Sequence, residues 1–86
     1  MQHELMDLDT SIAWFVAPKL REFRKKLNSH PPEITLEEWE RILEKIQYSM
    51  DRIAEGNHIN PDYFIHIPQI QEGCELFGKY FMRLWN

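Results

Sequence analysis

The sequence predicts an all-α fold, a compact three-helix arrangement with an ordered loop before the C-terminal helix, built as a single helical domain over residues 1–86. Apolar residues recur at helical spacing in three stretches, opposite charges are segregated onto the first two, and residues 35–38 spell a helix start.

The first helix is expected to open at Asp9-Thr10-Ser11, whose side chains accept hydrogen bonds from the free amides of a first turn. Its core stripe reads Ile12, Phe15, Val16, Leu20, Phe23 and Leu27. Pro18 interrupts this stripe. A proline inside a helix removes one backbone bond and crowds the preceding turn, so the expectation is a kink, or a short helix with Pro18 opening a second. Asn28-Ser29-His30-Pro31-Pro32 ends the segment, because two consecutive prolines cannot continue it.

The second helix has the clearest start: Thr35-Leu36-Glu37-Glu38 matches a capping box, with Ile34 at the staple position before it. Trp39, Ile42, Leu43, Ile46, Met50 and Ile53 hold the helical period for four turns, and Glu55-Gly56-Asn57 supplies a stop with glycine available for a left-handed cap. His58 to Ile67 reads as a connector, too short and too uniformly apolar over Tyr63–Ile67 to assign by period. The third helix is expected from about Pro68 to the C-terminus through Ile70, Cys74, Phe77, Phe81 and Leu84. Gly73 and Gly78 inside it imply close approach of another backbone, or a helix held mainly by packing.

Composition narrows the function classes. A chain of 86 residues buries roughly 60% of its unfolded surface, enough for a modest core. Hydrophobic content of 43% and aromatic content of 13% argue against disorder, and for a partner or a homo-oligomer covering part of the apolar surface. The single cysteine, Cys74, excludes an intramolecular disulfide and fits a reducing cytoplasm. Met1 to Asp9 carries Glu4, Asp7 and Asp9 with no basic stretch, so no signal peptide is expected, and no apolar run approaches the ~20 residues of a membrane span. A net charge of −4 gives no general affinity for nucleic acid or an anionic membrane.

Two groups of residues are candidates for binding. Lys19, Arg21, Arg24, Lys25 and Lys26 face the possibility of pairing with Glu33, Glu37, Glu38, Glu40 and Glu44 across an antiparallel helix pair. The sharper reading takes Trp14, Arg21 and Lys25, on one helical face away from the core stripe, as a ligand site where an aromatic stacks on a base and two cations meet its phosphates. The C-terminal run Leu76 to Trp85 is wider than one core stripe needs. With Phe77, Phe81 and Leu84 able to face the core and Tyr80 and Trp85 pointing elsewhere, Tyr80, Phe81, Arg83 and Trp85 form a candidate protein interface.

Catalytic chemistry finds little support. Glu40, Glu44 and Asp51 share a face, but the second acidic pair that a magnesium-dependent helical nucleotide hydrolase needs is incomplete at Glu72 and Glu75. His3, His30, His58 and His66 show no zinc spacing with one another or with Cys74, which reads as a small buried side chain. Three glycines leave no phosphate-cradling loop. No catalytic residue, metal or cofactor is therefore expected, and the chain is read as a non-enzyme.

Taken together, Leu8-Asp9-Thr10-Ser11-Ile12-Ala13, the Pro18–Phe23 stretch PKLREF, Glu38-Trp39 through Ile46, and the ending IQEGCELFGKYFMRLW resemble a group of small bacteriophage proteins. The resemblance spans nearly the whole chain and lapses in the connector from His58 to Pro68. It implies a viral protein working in the cytoplasm of a bacterial host and transfers no activity to any residue. The expectation is a binding protein that inhibits a bacterial defence system by docking on a host protein. Alternatives are an oligomeric sponge for a small nucleotide signal, the nucleotide hydrolase, and a structural phage accessory protein.

Overall fold

The computed structural model describes residues 8–56 and 67–84. Three α-helices fill them, α1 over Leu8–Lys25, α2 over Leu36–Ala54 and α3 over Ile67–Lys79, followed by a 3-10 turn at Phe81–Arg83. No strand occurs among the described residues. Of the expected connector only Ile67 is described, as the first residue of α3; His58 to His66 and Trp85 lie outside the described residues.

The middle helix is the best-specified element and occupies the centre of the fold. The capping box at its start is complete: Glu38 N donates to Thr35 Oγ1 at 3.1 Å and Thr35 N donates to Glu38 Oε1 at 2.8 Å. Its stop is the expected one, with Gly56 at φ +79° and the Gly56 amide donating to the Ile53 carbonyl. Buried Trp39, Leu43, Ile46, Gln47, Ser49, Met50 and Ile53 cover nearly half of its circumference. An arc that wide accommodates two neighbours. Both α1 and α3 pack on α2, and the molecule measures 41 × 30 × 19 Å.

The first helix differs from expectation in two ways. It is one helix running through Pro18, which lies exposed on its surface; the missing proline N–H leaves the Trp14 carbonyl without its intrahelical donor. Its core face is also turned by roughly a quarter of a revolution from the predicted stripe. Ala13, Ala17 and Leu20 are buried, with Val16, Phe23 and Leu27 partly so, whereas Ile12 and Phe15 face outward. Small residues at the crossing let α1 approach α2 closely, which displaces the larger side chains to the other side.

Close approach is stronger still on the opposite flank. Gly73 is buried against α2, where a Cβ would strike Ser49 Oγ and the Lys45 carbonyl oxygen. Ser49, fully buried, donates to the Ile70 carbonyl at 2.7 Å. Glycine there reflects a backbone contact, one of the two alternatives the sequence allowed. Gly78 has open space around it.

The third helix ends sooner than predicted. Tyr80, at φ −108° and ψ 15°, leaves the α conformation, and the chain tightens into the 3-10 turn. The change of pitch reverses two expected orientations. Tyr80 turns inward, its ring meeting Trp39 edge-on at 5.5 Å, and Phe81 turns out to solvent.

Candidate functional site

Two surfaces hold the residues singled out by sequence. The first is the seam between α1 and α2, where antiparallel packing sets the basic and acidic flanks face to face. Arg21 Nη2 donates to Asp51 Oδ1 at 2.7 Å, and Arg24 Nη1 to Gln47 Oε1 at 3.5 Å. Gln47, itself buried, donates from Nε2 to the Ala17 carbonyl at 2.9 Å and to Asp51 Oδ1 at 3.0 Å. Asp51 thus accepts from both a guanidinium and an amide. Lys25 reaches Glu22 of its own helix at 3.5 Å.

Trp14 belongs to the same seam. Its ring Nε1 donates to the Ala54 carbonyl at 2.8 Å, satisfying one of the carbonyls that the end of α2 leaves without a helical partner. The predicted trio Trp14, Arg21 and Lys25 does share one flank of α1, but that flank abuts α2. Trp14 and Arg21 are already engaged in holding the two helices together. This corrects the expectation of a face turned away from packing, and its cause is the rotation of α1.

Below the Arg21–Asp51 pair lies a groove of about 470 Å³, with Arg21, Arg24 and Lys25 along one wall and Glu40 and Glu44 along the other. A phosphate entering it meets two carboxylates as well as three cations, so the field does not select anions. Glu40 and Glu44 are not joined by a third ligand, and among the described residues no group of three or more His, Cys, Asp or Glu is placed to hold a metal ion. Cys74 is half-buried on α3. Desolvation pushes its thiol pKa up, assisted by the negative charges of Asp9 and Glu75, and a thiol so placed is a poor nucleophile.

The second surface is the C-terminal turn. Phe81 and Met82 are 61% and 84% exposed, and the Phe81 ring rests edge-on against Phe77 at 5.5 Å. Arg83 is tied to Glu33 at 3.0 Å, which fixes the turn against the segment before α2. Of the four predicted interface residues, Phe81 and Arg83 lie on this surface, Tyr80 supports it from within, and Trp85 falls outside the described residues. No helix among the described residues is long and apolar enough to cross a membrane.

Sequence reasoning missed Gln47, Ser49 and the outward apolar side of α1. The two polar residues sit on the apolar arc of α2, and that position is the signal that exposes them as internal hydrogen-bonding groups. Compared with known proteins, the chain matches no family model, no curated protein and no solved structure.

Proposed function

We propose that this chain is a non-enzymatic bacteriophage protein that acts in the host cytoplasm by docking on a host protein, with inhibition of a bacterial defence system as the outcome. The observation that carries the docking is the C-terminal turn, where Phe81 and Met82 stand in solvent on a base pinned by the Tyr80–Trp39 contact and the Arg83–Glu33 ion pair. Large apolar side chains on a fixed base lose little conformational freedom on binding, which is the condition for an interface anchor. The viral and anti-defence setting rests on the resemblance of the sequence blocks. Against a nucleotide sponge stand the carboxylates of the α1–α2 groove and the prior engagement of Trp14 and Arg21.

The test is capture from lysate of an uninfected host, read by mass spectrometry with the wild-type chain and with a Phe81→Glu, Met82→Glu variant. Loss of one specific host protein with the variant, at unchanged far-UV circular dichroism, is the expected result. Capture unaffected by the substitutions would remove this turn as the contact. A bound species of only a few hundred daltons, lost on Arg21→Glu, would favour the nucleotide reading instead.

A further inference from the structure

The groove between α1 and α2 holds charges of both signs that are not spent on each other. Arg21, on the basic wall, is committed to Asp51 at 2.7 Å. The other cations of that wall have long contacts of their own: Arg24 meets the neutral amide of Gln47 at 3.5 Å, and Lys25 meets Glu22 of the same helix at 3.5 Å. Glu40 and Glu44 stand exposed on the opposite wall, one helical turn apart. Among the described residues no ion pair within 4.0 Å joins Arg24 or Lys25 to Glu40 or Glu44. Between the walls, Leu27 and buried Leu43 give the groove an apolar floor.

A ligand of a single charge meets one wall that repels it. An anion drawn to Arg24 and Lys25 faces Glu40 and Glu44, and a cation drawn to the carboxylates faces the reverse. A molecule with an ammonium at one end, a carboxylate at the other and an apolar middle meets neither objection. Its two charges must stand far enough apart to reach opposite walls, which the adjoining groups of a single amino acid do not; two extended residues separate their termini by roughly 6–7 Å. The volume of about 470 Å³ lies within the roughly 300–1,000 Å³ of small-molecule sites. Lys25 swinging onto Glu44 does not bar such a ligand, because an exposed ion pair gains little over two hydrated ions.

From these features we infer that the α1–α2 groove is a binding site for short zwitterionic peptides. The ammonium end lies toward Glu40 and Glu44, the carboxylate end toward Arg24 and Lys25, and the apolar middle over Leu27. The carboxylates that oppose a nucleotide are what this class of ligand uses. The site is separate from the C-terminal turn, so it stands or falls independently of docking there.

Titration of the full chain with the dipeptide alanyl-leucine, followed by two-dimensional amide NMR, tests it. Saturable shifts confined to the amides of residues 21–27 and 40–44 are the expected result. Alanyl-leucine amide, which lacks the carboxylate, and N-acetyl-alanyl-leucine, which lacks the ammonium, are each expected to bind about fivefold more weakly or worse. Lys25→Gln is expected to narrow the advantage of the dipeptide over its amide, and Glu44→Gln its advantage over the acetylated form. Both substitutions are at exposed positions, and unchanged circular dichroism confirms the fold. Absence of a saturable shift with alanyl-leucine overturns the inference. So do three peptides of equal affinity, or shifts centred on Phe81 and Met82 instead.

Discussion

The two glycines of α3 sit five residues apart and answer to different neighbours. At Gly73 an added methyl group meets Ser49 and the Lys45 carbonyl of the adjacent helix, and the backbone oxygen cannot swing aside as a flexible side chain can. Gly73→Ala is expected to lower stability by about 2 kcal/mol or more, through separation of α2 from α3. At Gly78 the same change meets nothing and removes backbone freedom from the unfolded chain, so Gly78→Ala is expected to raise stability by about 0.5–1 kcal/mol. Urea unfolding of the two variants side by side checks both signs. Equal effects would mean that the helix crossing at Gly73 is looser than the structure has it.

Pro18 is a defect carried by α1 as an element. It leaves one carbonyl of the helix without its donor, and its exposed position means that nothing in the core depends on its ring. Pro18→Ala is therefore expected to raise the stability of the fold by about 1–3 kcal/mol, less a few tenths for the freedom that alanine returns to the unfolded chain; a thermal melt measures it. The existence of all three helices was legible in the sequence, and α2 was legible to its ends, because Thr35, Glu38 and Gly56 act through their own backbone neighbours. The facing of α1 was not. Its apolar residues encircle more than half of the helix, and the choice of Ala13 and Ala17 over Ile12 and Phe15 is made by the distance to α2, which no residue of α1 encodes by itself. The site suffered the same way: Trp14, Arg21 and Lys25 were correctly placed on one flank, while the neighbour of that flank depends on the turn of the whole helix. At the C-terminus the period held up to Lys79 and then changed pitch, which exchanged the roles of Tyr80 and Phe81.

The molecule as a whole is a thin layer with one helix in the middle, so its stability responds to what happens at either flank. Cys74, half-buried on α3 against the core, gives a pH-dependent case. Burial raises the pKa of its thiol in the folded chain above the unfolded value, so the folded state holds the proton longer. The contribution is complete below the ordinary thiol range, roughly pH 8.5, and is lost as pH climbs through the raised value. Urea midpoints between about pH 8 and 10.5 are expected to fall more steeply for the wild type than for Cys74→Ala. Parallel curves would show that the thiol titrates alike in both states. The central position of α2 bears on how such a chain drifts over generations. Gln47 and Ser49 lie two residues apart, yet one is bonded to α1 and the other to α3. A chance replacement on the buried arc of α2 is therefore answerable to both α1 and α3, whereas the main packing partner of either outer helix is α2 alone. Random substitution of the chain is expected to be tolerated least often on the buried arc of α2 and most often on the outward sides of α1 and α3.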